Sequence, residues 1–125
     1  MEMSELFKSV IDADRAPIVI CSPDHTVVYV NPAAAERYAG MGAPNLLGSS
    51  ILDCHPPAAA EKLKKAVELL AAAPGKSILY ESRNDSENKD VYIVALRNGN
   101  GELIGYYEKH EYRCPETADF YELID

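Results

Sequence analysis

Residues 16–40 read APIVICSPDHTVVYVNPAAAERYAG, and this order of apolar, turn-forming and helix-forming residues decides the fold. Residues 16–22 form a short run, rich in β-branched side chains and followed by a proline, which predicts a buried strand. A turn at residues 23–25 leads to a second predicted strand at residues 26–31. Because this connection is so short, we expect the two strands to pair as an antiparallel hairpin.

A helix is predicted directly after the hairpin. Asn31 is a favourable N-cap, and Pro32 suits the first helical position because its φ angle is already helical and its missing N–H has no partner to lose there. Gly40 ends this helix, and a loop that contains Gly and Pro follows at residues 41–48.

A long helix and a three-stranded meander are predicted for the second half of the chain. Residues 58–73 carry apolar side chains at helical spacing, and the Pro-Gly pair that follows ends the helix. The sequence NGNG at residues 98–101 is a strong hairpin signal. Three strands are expected, at residues 76–83, 91–97 and 102–113. Helices placed between two sets of antiparallel strands indicate an α+β fold.

The composition limits the classes of partner. The chain has 125 residues, enough for one domain, with 12 basic and 20 acidic residues and a net charge of −8. The negative sign argues against direct nucleic-acid binding, which requires Lys and Arg to neutralise phosphates. No apolar run approaches the roughly 18 residues of a membrane span, so no membrane partner is expected.

The three cysteines, Cys21, Cys54 and Cys114, are odd in number and widely spaced. This pattern is typical of a reducing compartment rather than of a disulfide framework. We therefore expect a cytoplasmic protein.

The order of the elements, together with three segments, resembles the PAS domain family. The segments are residues 16–40, the stretch NLLGSSILDCHPP at 45–57 and the stretch RNGNGELIGYYEKHEY at 97–112. The resemblance implies a five-stranded antiparallel sheet with helices packed on one face and a small cavity between them. Family members use this cavity for haem, flavin or small metabolites, or fill it with side chains. The Cys-His-Pro-Pro stretch is similar to that of a bacterial subset of the family, whose members are found beside hemerythrin-like or regulatory modules.

The chain is expected to have three parts. An N-terminal amphipathic helix is expected at residues 1–15. The PAS-like domain is expected at residues 16–113, and a tail that could form a short helix at residues 114–125. Members of the family pair through the outer sheet face and the preceding helix, so the resemblance implies a homodimer. Its expected contacts are Leu6, Phe7, Val10, Phe120 and Ile124.

Asp53, Cys54 and His55 bring a carboxylate, a thiol and an imidazole side by side. Adjacent residues seldom point their side chains together, so Cys54 and His55 do not form a natural nucleophile–base pair. No CxxC or HxxxH accompanies them, and no metal site is predicted. We predict instead that Asp53 or His55 caps the long helix, with Pro56 and Pro57 presetting its φ angles.

Cofactors are left open by the sequence. Haem-binding members of the family usually ligate iron through a His on the long helix, which has none here. His55, close to Asp53 at the entrance to that helix, is the alternative ligand. The Gly-x-Asn-Cys-Arg pattern of flavin photochemistry in this family is missing. The sequence therefore allows either haem or flavin as a cofactor but contains no specific motif for either.

Tyrosine is unusually frequent, with eight Tyr, two Phe and no Trp. Buried tyrosine hydroxyls normally find a hydrogen-bond partner, so tyrosines that face the helices could bind a polar ligand. Strand alternation groups Tyr106 with Ile104, Glu108 and His110 on one face. The residues expected to line a cavity, or else to form plain core, are Ile51, Leu63, Val67, Tyr80, Ile93 and Tyr106.

The function implied by the resemblance is that of a sensory or signalling domain without enzyme activity. Such a domain binds a small molecule in its core or a signalling protein on its sheet, and relays a change in helix packing. The first alternative is a ligand-free dimerisation or docking module. The second is a small lyase or isomerase with Asp53 or His55 as general base, although no second catalytic residue is evident.

Overall fold

The computed structural model describes residues 2–40 and 45–121, and all the predicted helices and strands of the domain are found there, with ends that differ by a few residues. The helices are α1 (Met3–Ala13), α2 (Pro32–Gly40) and α3 (Pro57–Ala72), with a 3-10 helix at Ile51–Cys54. The strands are β1 (Val19–Cys21), β2 (Val27–Val30), β3 (Ile78–Asn84), β4 (Lys89–Arg97) and β5 (Leu103–Tyr112).

The five strands form one antiparallel sheet in the order β2-β1-β5-β4-β3, which confirms the predicted α+β fold class. One face of this sheet and the helical segments between β2 and β3 meet in a single apolar core. In contrast, α1 contributes no buried residue. The buried members of the core are Cys21, Val27, Leu46, Ile51, Leu63, Val67, Leu70, Ile93 and Tyr106.

Asn31 joins three parts of the fold with one fully buried side chain. Its Oδ1 accepts hydrogen bonds from the N–H groups of Ile18 and Ala34, each at 2.9 Å, so it caps α2 as predicted. Its Nδ2 donates to the carbonyl oxygens of Ile11 at 3.0 Å and Ala16 at 3.1 Å. The end of α1, the approach to β1 and the start of α2 are thereby held together.

Three bulges change which side chains face the helices. The strand pairing skips Val28 in β2, Glu81 in β3 and Ile104 in β5, so each is an extra residue in its strand. Bulges of this kind bend a strand and redirect its side chains. The expectation that Ile104 shares a face with Tyr106 is therefore wrong, because Ile104 is exposed whereas Tyr106 is buried.

Glycine is required at position 105, where β1 and β5 approach closely. A Cβ atom on Gly105 would lie 2.8 Å from the backbone oxygen of Cys21, closer than side chains tolerate. The missing side chain allows Cys21 to pair with Tyr106 across the two central strands. Both of these residues face the cavity described below.

The described part of the tail, residues 114–121, contains neither helix nor strand. In this segment Phe120, a predicted dimer contact, is 99% exposed. The other predicted contact in the tail, Ile124, lies outside the described residues.

Candidate functional site

A cavity of about 220 Å³ lies between the central strands β1 and β5 on one side and α2 with the 3-10 helix on the other. A groove of about 310 Å³ continues from it towards β3 and has four wall residues in common with it, Arg37, His55, Glu108 and His110. Ionisable side chains therefore converge at the junction of the two spaces. The cavity is lined by Pro17, Val19, Cys21, Arg37, Tyr38, Leu46, Ile51, Cys54, His55, Tyr106, Glu108 and His110.

His55 is held through both nitrogens of its ring. Nδ1 donates to the carbonyl oxygen of Ile51 at 2.9 Å, and Nε2 lies 3.6 Å from Oε1 of Glu108. The contact with the Glu108 carboxylate raises the pKa of His55 to about 9, although burial acts in the opposite direction. The imidazole is therefore protonated at neutral pH and does not act as a general base in this state.

The predicted capping role of Asp53 and His55 is wrong. Pro56 occupies the N-cap position of α3, and no side chain among the described residues accepts a hydrogen bond from the first turn of that helix. Asp53 is exposed and is not part of the cavity wall. The 3-10 helix is capped instead by Ser50, whose hydroxyl accepts from the N–H of Leu52. The 3-10 turn directs His55 inwards, away from the start of α3.

Two glutamates from different strands meet beside His55. Glu81 is the extra residue in β3, and Glu108 lies on β5. One carboxylate oxygen of each and one nitrogen of His55 all lie within 4.8 Å of one another. Burial raises the pKa of Glu81, and the neighbouring Glu108 raises it further. Burial also opposes ionisation of Glu108, but its contacts with His55 and Glu81 outweigh burial and lower that pKa. Of the two carboxyl groups, Glu81 therefore takes up a proton more readily than Glu108.

His110 is a neutral histidine at the same junction. Burial, together with the positive charge of Lys89, lowers the pKa of His110 to about 4. Its Nδ1 is buried and has no hydrogen-bond partner among residues 2–40 and 45–121. The site thus combines one charged and one neutral imidazole close to Glu108.

A second charged cluster connects α2 to the turn between β3 and β4. Glu87 in this turn accepts hydrogen bonds from Nη1 of Arg37 at 2.6 Å and from Nη2 at 3.0 Å. Its Oε2 also lies 3.3 Å from Nζ of Lys89, whose side chain is almost completely buried. One carboxylate therefore neutralises two cations at the edge of the site.

Five of the six predicted cavity residues lie inside the fold, in two different roles. Ile51 and Tyr106 line the cavity, where the Tyr106 hydroxyl is 2.9 Å from Nδ1 of His25. The other three belong to the packed core and are not part of the wall of this cavity: Leu63, Val67 and Ile93.

Tyr80 is the sixth predicted cavity residue, and it does not line this cavity, although it borders a separate open groove between α3 and β3. Its side chain is 58% exposed on the outer face of β3, and its hydroxyl donates to Oδ1 of Asp90 at 2.6 Å. Its ring packs beside that of Tyr92, with the ring centroids 5.3 Å apart. Strand alternation gives two faces but does not say which one meets the helices, and the inward positions belong to its neighbours Leu79 and Glu81.

Haem does not fit His55 in this arrangement. Oε1 of Glu108 lies 3.6 Å from Nε2, which leaves no room for a porphyrin ring against that nitrogen. The cavity, at about 220 Å³, is also smaller than the pockets of about 300–1,000 Å³ that bind drug-sized ligands. The described space therefore suits a ligand smaller than haem or flavin.

Several residues of the site were not singled out from the sequence. Arg37, Glu81 and Glu87 carry no local pattern that marks them, because their partners lie on other elements. A signal did exist for Glu108 and His110, since strand alternation places both on the face of Tyr106. The bulge that turns Glu81 towards them is not visible in the sequence.

A five-stranded antiparallel sheet with helices enclosing a polar cavity on one face defines the class of this domain. The chain belongs to the PAS fold family, whose sequence model matches residues 11–108. This confirms the resemblance inferred from the sequence. A comparison with curated protein sequences finds no match.

Solved structures with the same fold are similar to this chain at low sequence identity. The PAS domain of BvgS from Bordetella pertussis is 21% identical, with a TM-score of 0.64 over 90% of this chain and 88% of that one. The C-terminal domain of a Streptococcus mutans protein is 23% identical, with a TM-score of 0.66 over 87% and 84%. A sensory box sensor histidine kinase from Vibrio cholerae is 18% identical, with a TM-score of 0.59 over 88% and 92%.

None of the helices in the described part of the chain has the length and apolar character needed to cross a membrane.

Proposed function

We propose that this PAS domain is a sensory module that binds a small polar ligand in the cavity and relays its presence to a protein partner. A ligand at the junction would contact both the 3-10 helix, which ends next to His55, and β5, which carries Glu108. Binding shifts the population of helix arrangements only if the ligand binds two arrangements unequally. The likeness to a sensor histidine kinase supports the sensory role at the level of the fold.

The observation that carries this proposal is the set of unpaired polar atoms in the cavity wall. Nε of Arg37 and Nδ1 of His110 are buried without a hydrogen-bond partner among the described residues. Buried polar groups in folded proteins are nearly always paired with protein or water. A small molecule with hydrogen-bonding groups would satisfy both atoms.

Binding is favoured over catalysis by the state of the two candidate bases. His55 has its pKa raised to about 9 by Glu108 and is protonated, and Asp53 points to solvent. The three cysteines are free, which supports the cytoplasm as the compartment.

Native mass spectrometry of the freshly purified protein tests the ligand. We expect extra mass that is lost on denaturation, and we expect the variant Val19→Phe to lose it because the larger side chain fills the cavity from β1. The matched control is Val28→Phe, since Val28 is 52% exposed and is not part of the cavity wall. A clean protein mass for the wild type, or extra mass retained by Val19→Phe, contradicts the ligand.

A second candidate function, a homodimerisation or docking module, is favoured by the exposed apolar face of α1. Leu6, Phe7 and Val10 are 42%, 59% and 67% exposed, and no residue of α1 is buried. Apolar side chains grouped in this way mark interaction surfaces more often than free surface. The strands also carry exposed apolar side chains, among them Val28, Ile78, Tyr80 and Ile104.

Sedimentation equilibrium of the Phe7→Glu variant tests this second function. We expect a wild-type dimer whose dissociation constant rises at least about tenfold in the variant, because a charge replaces an aromatic side chain that the dimer interface would bury. Ser9→Glu is the control, since it adds the same charge at an exposed residue of the same helix. A monomeric wild type, or equal weakening by both variants, contradicts dimerisation through α1.

A further inference from the structure

We propose that His55, Glu81 and Glu108 form a binding site for a divalent transition-metal ion. The inference goes beyond the proposed function, because it adds a cation site formed by other residues at the junction next to the cavity. The three residues come from three separate elements, the 3-10 helix with its cap, β3 and β5.

The spacing of the donor atoms suits a small cation. Each residue offers one atom, and the three atoms lie within 4.8 Å of one another. A tetrahedral ion with bonds of about 2.0–2.2 Å holds its ligand atoms about 3.3–3.6 Å apart. Nε2 of His55 and Oε1 of Glu108, 3.6 Å apart, already have this separation. The Glu81 oxygen lies at most 4.8 Å from these two atoms, and closing that separation to about 3.6 Å completes the set.

The orientation of His55 is that of a metal ligand. Histidines that bind metals almost always donate their other ring N–H to a carbonyl or carboxylate, which fixes the tautomer and the ring. Nδ1 of His55 makes this contact with the carbonyl oxygen of Ile51 at 2.9 Å. Nε2 is thereby aimed at the two carboxylates.

Glu81 supplies an independent sign that the arrangement is built for a ligand. It is the extra residue of a bulge in β3, and bulges commonly redirect a side chain towards a functional site. Its Oε2 is buried and has no hydrogen-bond partner within the described ranges. A cation bound by Glu81 would give this buried carboxylate a partner.

The donor set selects the class of ion. One imidazole with two carboxylates is a combination found for Zn²⁺ and similar ions, whereas Mg²⁺ and Ca²⁺ prefer oxygen ligands alone. Side chains of His55 and Glu108 are 20% and 22% exposed, so an ion can reach the site from solvent. Three protein ligands leave the fourth position of a tetrahedral ion for water or a small ligand.

Calorimetric titration of the metal-free protein with ZnCl₂ tests the site. We expect one Zn²⁺ per chain for the wild type, and binding at least about tenfold weaker for Glu81→Gln, which keeps the shape of the side chain but removes a charged ligand atom. Glu61→Gln is the matched control, because Glu61 is an exposed residue of α3, and its affinity should equal that of the wild type. Equal affinities of Glu81→Gln and wild type overturn the proposal.

Co²⁺ absorption of the wild type provides a readout that does not depend on the folding of a variant. We expect the intense visible bands of a four-coordinate ion, and the spectrum of Co²⁺ in water overturns the site. The two proposals can be contradicted separately. If the protein carries extra organic mass that Val19→Phe removes but binds no metal, the sensory role stands and only the metal site is contradicted. If the protein binds metal but carries no organic mass, the polar organic ligand is contradicted and the metal site stands.

Discussion

Replacement of Asn31 by alanine is expected to lower the free energy of unfolding by about 3 kcal/mol, the largest loss that we predict. Asn31 is completely buried and makes hydrogen bonds to five backbone groups, those of Ile11, Asp14, Ala16, Ile18 and Ala34. Each buried group left without a partner costs about 1–3 kcal/mol, and water that enters near the end of α1 recovers part of the sum. Loss of the α2 cap is included in this figure.

Urea denaturation followed by circular dichroism measures the effect of Asn31→Ala. Asn98→Ala is the matched control, because Asn98 also accepts two backbone hydrogen bonds but does so in an exposed turn. There water replaces the lost partner, and we expect a loss of about 1 kcal/mol or less. Similar losses for the two variants would show that Asn31 does not join α1, β1 and α2 as described.

The second largest effect is expected for Glu87→Gln, a loss of about 2 kcal/mol at neutral pH. The substitution keeps the shape of the side chain but removes the charge that neutralises Arg37 and Lys89. Lys89 is 2% exposed and would be left as a buried cation without a carboxylate. The Glu87 side chain itself is 35% exposed, so solvent screening reduces the loss below that for a fully buried pair.

The pH dependence of this difference follows from the pKa of Glu87. Hydrogen bonds from Arg37, with a further contribution from Lys89, lower that pKa from 4.5 to about 2. A lowered pKa in the folded state means that the stabilisation is complete above the ordinary pKa and is lost as the pH falls towards about 2. We therefore expect the stability gap between wild type and Glu87→Gln to be full at about pH 6 and to narrow below about pH 4.

Denaturation of both proteins across this pH range tests the assignment. Asp85→Asn is the control in the same turn, since its pair with Arg83 is 64% and 75% exposed and contributes little. Its effect should stay within about 0.5 kcal/mol at every pH. A gap for Glu87→Gln that does not change with pH would mean that its ionisation is not coupled to folding.

Local patterns were enough to predict the fold. The β-branched run before Pro23, the Asn31-Pro32 helix start and the NGNG turn each depend on backbone preferences of a few neighbouring residues. These preferences act within a few residues, so they can be read from the sequence directly. The order of the elements then identified the α+β class and the family.

The same kind of reasoning failed at the entrance to α3 and on β3. Asp53 and His55 were expected to cap the helix, but the 3-10 turn at Ile51–Cys54 rotates His55 into the cavity. Tyr80 was expected inside, but the pairing of β3 with β4 places it on the outer face. Both errors concern the direction of a side chain, which depends on the packing of neighbouring elements.

The sequence by itself determined which elements form, in what order, and that Asn31 caps α2. Only the tertiary structure brought His55, Glu81 and Glu108 together, because each comes from a different element and one of them is turned inwards by a bulge. Local backbone preferences are encoded by neighbouring residues. The shifted pKa values and the convergence of ligand atoms arise from burial and from charges that are distant in the chain, so they exist only once the sheet and helices have packed.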